Sequence, residues 1–206
     1  MSRGSMLRAG WIAVWAFLYG AFLVWYGGNG APLTQAEGQA LIGRIRAVHA
    51  AGASVGQHPE FIPNIEALIA SDDGREFLMV NLETLIDTPA ASEADMAYAR
   101  IVVPLLLARG SFPAFVSRTR GTVLGDYGSG IQRVAIVRYR SLRDFLDMNA
   151  DPAMRDGAPH KFASMTHTEV FPTAPVFTAV QVRLTLGLLV VLIGGSGLAA
   201  MRRFGW

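Results

Sequence analysis

Two long apolar runs stand near the ends of the chain, at residues 11 to 28 and 184 to 201, and neither contains a charged side chain. As helices rising about 1.5 Å per residue, both are long enough to cross a hydrocarbon core of about 30 Å. The first run carries four aromatic residues of the kind that favour membrane interfaces: Trp11, Trp15, Trp25 and Tyr26. The pattern therefore predicts a transmembrane helix near each end.

The first run has an alternative interpretation, as the apolar part of a cleaved signal peptide with Arg3 and Arg8 as its basic flank. The residues that follow it are GGNGAP, which offer no good Ala-x-Ala cleavage pattern. A retained anchor is therefore the better interpretation.

Basic residues close to the runs predict the orientation of the chain. Two arginines precede the first run and two follow the second: Arg3, Arg8, Arg202 and Arg203. Because Lys and Arg accumulate on the cytoplasmic side, the tails at 1 to 10 and 202 to 206 are expected in the cytoplasm. The preference for Arg over Lys suggests a bacterium. Residues 29 to 176 are then expected to be periplasmic or extracellular, on the outer side of a bacterial inner (plasma) membrane.

The middle of each run lacks ionisable residues, so a transport path through this chain alone is not expected. Small residues occur at a spacing that can bring helices together, Ala16 with Gly20 and Gly195 with Ala199. We interpret these pairs as a consequence of composition. The membrane part is interpreted as an anchor.

The segment at 29 to 75 is expected to be an amphipathic helical linker. Thr34 and Glu37 have the spacing of a capping box, and Leu41, Ile45 and Val48 follow with helical periodicity. This helix is expected to lift the next domain off the membrane. A shorter linker is expected at 175 to 183.

Residues 76 to 174 show the periodicity of alternating strands and helices. Strands are predicted at 75 to 85, 111 to 124, 131 to 140 and 165 to 172, and helices at 88 to 110 and 141 to 150. Ser92, Ser141 and Asp151 are the predicted N-caps. The order predicts an α+β fold, the ferredoxin-like βαββαβ arrangement, with two helices on one face of a four-stranded antiparallel sheet. The other sheet face then needs a cover, usually a second copy.

Composition excludes several classes of function. The net charge is only +2 and falls partly on the tails, so nucleic-acid binding has no support. The chain has no cysteine, which excludes a thiol nucleophile. The GDYGSG stretch has the wrong order for a dinucleotide-binding loop and is predicted to lie in a hairpin.

Four stretches resemble the dimeric α/β-barrel superfamily and, within it, a branch of small uncharacterised proteins: FLMVNL, YARIVVPLLLARG, VAIVRYRSLRDFLDM and DPAMRDGAPHKFAS. The resemblance covers about half of the chain, from 76 to 174, and implies a homodimer whose two sheets meet face to face. Membrane helices are not part of what the resemblance implies. Lys161 stands where the relatives usually have Arg, and it is expected to be solvated.

The resemblance also suggests candidate catalytic residues, because related monooxygenases and haem-handling members work in a cleft between sheet and helices. Asn81 and His160 match the Asn and His of haem-degrading members, but all four Trp residues lie in the spans or at the last position. We take Asn81, Tyr98 and His160 as the candidate set. His160 would be the acid or base, and the other two would donate hydrogen bonds to a developing oxyanion. The alternative for Asn81 and His160 is a structural role in packing or hydrogen bonding.

No cofactor is expected, and no metal site, because His160 and His167 lack a third ligand at a suitable spacing. A second candidate site is an anion-binding patch formed by arginines on two predicted hairpin strands: Arg118, Arg120, Arg138 and Arg140. The alternative is a charged strand edge that prevents aggregation.

Two functions remain as hypotheses. The first is a membrane-anchored periplasmic module for dimerisation or small-ligand binding, an accessory subunit of a membrane assembly that has the lipid bilayer and a membrane protein as partners. The second is a small monooxygenase-like or isomerase-like enzyme acting on an apolar substrate. The sequence leaves open whether the protein is an enzyme, although the scarcity of convergent reactive groups favours the first hypothesis.

Overall fold

A computed structural model describes residues 3–49, 58–176 and 181–204, and the predictions for 50–57, 177–180 and Trp206 lie outside these ranges. The helices described are α1 (Arg3–Gly27), α2 (Gln35–His49), α3 (Phe61–Ala70), α4 (Pro89–Ala108), α5 (Leu142–Asn149), α6 (Met154–Ala163) and α7 (Val182–Arg203). The strands described are β1 (Phe77–Leu85), β2 (Phe112–Arg118), β3 (Arg133–Tyr139) and β4 (Met165–Thr173). They form two compact units, one comprising Met1–Gly28 and Val176–Trp206 and the other Asn29–Pro175.

The first unit is the helix pair α1 and α7, and both helices are long and apolar enough to cross a membrane. Aromatic side chains of α1 lie against glycines of α7. The Trp11 Nε1–H donates a hydrogen bond of 2.9 Å to the carbonyl oxygen of Gly194, and the Tyr19 hydroxyl donates one of 3.1 Å to that of Arg183. A Cβ added at Gly197 would lie 2.6 Å from the Trp11 ring. Glycine is therefore required where an aromatic ring of α1 packs directly on the α7 backbone.

Gly197→Leu is expected to separate the helix pair, because the Trp11 ring occupies the space of the new side chain. Gly195→Leu is the matched control, since a Cβ there meets nothing within 4 Å. Trp11, Trp15 and Trp25 all lie on α1, so tryptophan fluorescence in detergent reports on this unit once Trp206 is replaced by Phe. On heating, the Gly197 variant should lose its native signal at a lower temperature than the control. Equal transition temperatures would contradict direct packing at Gly197.

Gly20 and Gly195, two of the small residues noted in the sequence, lie away from this contact, because a Cβ at either would meet nothing within 4 Å. The close approaches occur instead at Gly187 and Gly197, where an added Cβ would lie 2.9 Å and 2.6 Å from side-chain atoms of Tyr19 and Trp11. Large aromatic residues packed on glycines thus define the contact, and small residues do not face each other there.

The second unit contains a four-stranded antiparallel sheet with the order β2-β3-β1-β4. The α+β class predicted from the sequence is confirmed. On β1 the buried residues are Met79, Asn81 and Glu83, which alternate along the strand and therefore share one face. Phe77 and Tyr139, cross-strand partners on the same face, stack at 5.4 Å between ring centroids. This face carries the helices.

The core lies between this face and the helices. Its fully or nearly fully buried members include Val102 and Leu106 of α4, and Leu142, Phe145 and Leu146 of α5. The Tyr139 and Phe145 rings meet edge to face at 5.0 Å between centroids. Aromatic pairs in this geometry add about 0.5 to 1.5 kcal/mol beyond the area that they bury.

The helices α2 and α3 belong to the same core. Ile42 and Ile45 of α2 are fully buried, and Ile65 and Ile69 of α3 are 3% and 4% exposed. The segment expected to be a linker at 29 to 75 therefore includes two helices that complete the hydrophobic core. The amphipathic pattern was correctly identified, and its apolar face packs against the domain itself.

The predicted caps are partly confirmed. The capping box at α2 is present, because the Thr34 N–H donates to the Glu37 carboxylate at 2.9 Å and the Glu37 N–H donates to Thr34 Oγ1 at 3.3 Å. Ser141 caps α5 as predicted. The predicted cap Ser92 is wrong, since α4 begins at Pro89 with Thr88 as its cap. The fixed backbone angle of proline suits the first helical position.

The second sheet face presents apolar side chains that the helix layer does not bury. Leu78, Val80 and Leu82 on β1 are only partly buried. On the same face, Phe171 of the neighbouring strand β4 is 42% exposed, and Phe115 of β2, beyond β3, is 53% exposed. We call this surface, formed by Leu78, Val80, Leu82, Phe115, Val134, Ile136 and Phe171, the open sheet face.

Candidate functional site

Asn81 lies in the middle of β1 on the helix-bearing face and is 7% exposed. Its amide nitrogen donates hydrogen bonds of 3.3 Å to the carbonyl oxygens of Met79 and Ala135. These two bonds fix the side chain and direct the amide oxygen towards α6. There the oxygen accepts a hydrogen bond of 3.0 Å from Lys161 Nζ. The buried amide therefore orients one amine.

Lys161 was expected to be solvated, and that expectation is wrong. The side chain is half-buried, with Nζ on the Asn81 oxygen and 6.0 Å from the centroid of the Tyr98 ring. Burial lowers the pKa of Lys161, because removing water disfavours the ammonium form. The charge of Glu83 acts in the opposite direction, and that of Arg133 lowers the pKa further.

Tyr98 is also half-buried and faces this amine from α4. Burial raises the pKa of Tyr98, and the negative charges of Glu83 and Asp95 raise it further. The phenol therefore remains protonated at neutral pH. Its hydroxyl makes no hydrogen bond with the residues described, so it is available as a donor.

A buried ion-pair network lies next to these side chains. Arg133 on β3 donates a hydrogen bond to the carboxylate of Glu83. It also forms a bidentate salt bridge with Asp95, with N–O distances of 2.6 and 2.8 Å. The bond with Asp95 raises the pKa of Arg133, while burial acts to lower it. One guanidinium thus neutralises two carboxylates, and it joins β1, β3 and α4.

His160 does not join this cluster. It lines an open groove of about 630 Å³ with residues of α4: Ala90, Glu93, Ala94, Met96, Ala97 and Arg100. The hydrogen bond of Asn81 goes to Lys161, the next residue along α6, and within the described ranges His160 has no hydrogen bond. The candidate set is therefore not brought together. Asn81 and Tyr98 lie next to Lys161, whereas His160 lies in the groove.

The four arginines do not form one anion-binding patch. Antiparallel register places Arg118 opposite Arg133 and Arg138 opposite Phe112, at opposite ends of the β2–β3 pair. These positions are five residue steps apart along β3, about 17 Å at 3.3 Å per residue.

Arg138 and Arg140 also have carboxylate partners. The Arg138 guanidinium is 4% exposed and bonds to Glu76 and to the Gly110 carbonyl oxygen. Arg140 bonds to both oxygens of Asp144, at 2.8 and 2.6 Å. Arg120 follows the end of β2 and is exposed. The predicted patch is therefore replaced by ion pairs within the chain at one end of the hairpin and by solvated arginines at the other.

Asp151, a predicted cap, acts in a turn before α6. Its carboxylate accepts a hydrogen bond of 3.1 Å from the Ala153 N–H and bonds to Arg109 at 2.9 Å, and α6 itself begins at Met154. In the described part of the chain, no group of three or more His, Asp or Glu side chains is arranged to hold a metal ion.

Comparisons with known proteins bear on the fold alone. No protein-family model matches the chain, and no curated protein matches it. A crystal structure of RPA0582, a protein of unknown function from Rhodopseudomonas palustris, is similar with a TM-score of 0.51 and 22% identity, over 58% of this chain and 95% of that one. The methylated form of RPA0582 gives the same score and identity, over 59% and 93%. At this identity the similarity extends to fold and not to activity.

Sequence reasoning identified Asn81 and Tyr98 but missed Lys161 as their neighbour. One signal was present in the composition, since Lys161 is the only lysine among 18 Lys and Arg residues. The other 17 Lys and Arg positions are all arginine, and the one lysine lies at the position that contacts the buried asparagine.

Proposed function

We propose that this chain is a membrane-anchored dimerisation module in which two copies meet through the open sheet face. The strand order β2-β3-β1-β4, with a helix connecting β1 to β2 and helices connecting β3 to β4, fits a ferredoxin-like domain of the dimeric α/β-barrel type. In such a domain one face carries helices and the other is available for a second sheet. The open sheet face is the observation that carries this proposal.

A second copy is the occupant that best fits the open sheet face. Strands of 7 to 9 residues in a four-stranded sheet cover about 25 by 19 Å, or roughly 500 Å² for each copy. Two copies would bury about 1,000 Å² in projection, and more once the side chains interlock, which reaches the lower range of specific interfaces. Burial of Phe115 and Phe171 would contribute further, because aromatic side chains dominate interface energetics.

The apolar helices support a location in a membrane. We propose that α1 and α7 hold the protein in a bacterial inner membrane with both termini in the cytoplasm and residues 29 to 176 in the periplasm. Arginines at both termini support this orientation. Anchoring at both ends suits an accessory subunit that presents a paired domain to another membrane protein.

The competing hypothesis, a monooxygenase-like or isomerase-like enzyme using Asn81, Tyr98 and His160, has less support. An acid or base must reach the reacting atoms, and His160 lines a groove with residues of α4 while Asn81 bonds to Lys161. The dimerisation module requires no such convergence.

The test is the mass of the full-length protein in mild detergent, measured by light scattering after size exclusion. We expect a dimer for the natural sequence and a monomer for Phe115→Glu combined with Phe171→Glu, because two carboxylates from each copy would be buried without partners. Both phenylalanines are substantially exposed, so folding should survive, as far-UV circular dichroism would show.

The matched control is Met96→Glu, which adds the same charge at a 48% exposed position on α4 and should leave the dimer intact. A natural protein that is monomeric would overturn the proposal. So would a dimer that persists in the double variant, because association would then depend on another surface, such as the membrane helices.

A further inference from the structure

The environment of Lys161 differs from that of a lysine held in an ion pair. Its Nζ bonds to a neutral amide oxygen, whereas the nearby carboxylates of Glu83 and Asp95 are both bonded by Arg133. An amide oxygen accepts a hydrogen bond from a neutral amine as well as from an ammonium group. The contact therefore positions the nitrogen in either protonation state.

Lysine and arginine are not equivalent at such a position. A guanidinium stays charged throughout the accessible pH range, whereas a buried lysine can lose its proton and become a nucleophile. Since 17 of the 18 Lys and Arg residues are arginines, the chain places its only titratable amine side chain here.

The site offers further polar groups that lack partners. The Tyr98 hydroxyl and Thr168 Oγ1 make no hydrogen bonds with the residues that the structure describes, and Thr168 Oγ1 is buried beside Glu83 on the neighbouring strand. A bound molecule with an oxygen atom would satisfy Thr168 Oγ1, which is buried and otherwise unpaired among the described residues, and could also bond to the Tyr98 hydroxyl.

The β4 edge of the sheet is uncovered next to Asn81. Val170 lies directly across from Asn81 on β4 and is 44% exposed, on the same face as the amide. Lys161 itself is half-buried rather than enclosed. Tyr98 and Val170 provide apolar surface near the amine, and the ion pairs of Arg133 with Glu83 and Asp95 lie close by.

We propose that Lys161 is a reactive amine that condenses with a small apolar aldehyde or ketone. The lone pair of neutral Nζ attacks the carbonyl carbon, and the electrons of the carbon–oxygen π bond move to the oxygen. One proton passes from the nitrogen to this oxygen, which gives a carbinolamine. The nitrogen lone pair then forms a double bond to carbon as the hydroxyl leaves, and the second amine proton passes to this hydroxyl, so that water and a Schiff base result. The site requires no oxidant or reductant.

Tyr98 has the chemistry to assist both steps. A phenol that stays protonated can donate a hydrogen bond or a proton to the carbonyl oxygen during attack, and again to the departing hydroxyl. Asn81 holds the amine in position through its own two bonds to the backbone. This inference does not depend on dimerisation, because every group named belongs to one copy.

The charged groups around the amine set its pH dependence. The charges that act on Lys161 are those of Glu83 on β1 and Arg133 on β3. From α4, Asp95 is bonded to Arg133, and Tyr98 presents a neutral phenol ring. Because the pKa of Lys161 is lowered, its reactive neutral form should predominate at a lower pH than for a free lysine, whose pKa is about 10.4.

The test is reductive trapping on the full-length protein in mild detergent, with hexanal and sodium cyanoborohydride and peptide mapping by mass spectrometry. Lys161 and the α-amino group are the primary amines, so each molecule carries its own reference. We expect Lys161 to be alkylated at least as fast as the α-amino group and to reach its maximal rate at a lower pH than a free lysine. Tyr98→Phe should slow trapping about a hundredfold, the lower end of a general acid's contribution, without shifting this pH profile.

Lys161→Arg keeps the positive charge and is the matched control, which should leave only the α-amino group modified. Modification of the α-amino group while Lys161 stays unmodified would overturn the proposal, and so would a pH profile like that of a free lysine. Faster trapping of glyoxylate than of hexanal would overturn the apolar class of the ligand. Trapping of Lys161 only after unfolding in urea would identify the amine as a structural group and also overturn the proposal.

Discussion

Arg133→Met is expected to lower the free energy of unfolding of the larger unit by about 3 kcal/mol, because removing one partner of a buried pair leaves the other charge uncompensated. Glu83 is the carboxylate that would be left as a buried charge without a partner, since its side chain is only 5% exposed and Arg133 is its ion-pair partner. Asp95, with 31% of its side chain exposed, can be hydrated instead. A loss of this size is a large fraction of the 5 to 15 kcal/mol that usually stabilises a domain.

The measurement is urea-induced unfolding of the full-length protein in mild detergent, followed by far-UV circular dichroism. The matched control is Arg118→Met, since Arg118 lies opposite Arg133 on β2 and is exposed, and its effect should stay within about 0.5 kcal/mol. Adding Glu83→Gln to Arg133→Met should restore part of the loss, because the buried charge is then removed. Equal stability of the two single arginine variants would contradict this account of the network.

The fold class could be predicted from the sequence because strand and helix periodicities are local properties of the chain. The apolar run at 75 to 85 predicts a buried strand, and β1 occupies Phe77–Leu85, although only one of its faces is buried. The capping box at Thr34 was equally visible, since its two residues are three positions apart and bond to each other. Such features need no knowledge of distant residues.

The location of Asn81 and Tyr98 near one site was predictable, but the third member of the site was not. Adjacent residues of a helix point about 100° apart, so only one of His160 and Lys161 can face the sheet. Periodicity alone did not choose between them, because α6 has no strong apolar stripe and contains Pro159. The choice depends on how α6 packs against α4 and β1, which is a tertiary property.

The anion-binding patch was predicted from the strand face that the arginines share. Their positions along the strands were not considered. Arg118 and Arg138 lie on strands that pair, but antiparallel pairing brings the end of one strand to the start of the other. Their separation follows from the register, which a hairpin loop of uncertain length does not reveal. Likewise, the bond between Arg138 and Glu76 joins residues 62 positions apart.

The role of α2 also depended on distant contacts. An amphipathic helix shows in its sequence that one face must be buried, and the partner of that face is not encoded locally. The partners proved to be α5, α3 and α6 of the same unit, with side chains such as Phe145 and Met154 in one core. This packing makes the segment before β1 a part of the domain.

Ile45→Ala is therefore expected to lower the free energy of unfolding of the larger unit by about 3 kcal/mol, within the range for truncating a fully buried isoleucine. The reason is the loss of packed methyl groups together with the cavity left at a side chain that is 0% exposed. A helix that served only as a spacer between membrane and domain would tolerate the same change. The variant thus distinguishes a core helix from a linker.

The control is Arg46→Ala on the next residue, which is exposed, so its effect should remain within about 0.5 kcal/mol. Urea unfolding of both variants, followed by circular dichroism, gives the comparison, and Ile45→Val should fall between them at about 1 kcal/mol. If Ile45→Ala and Arg46→Ala unfold at the same urea concentration, α2 does not contribute to the core. The graded series of Val and Ala would instead show a loss that grows with the volume removed, as close packing requires.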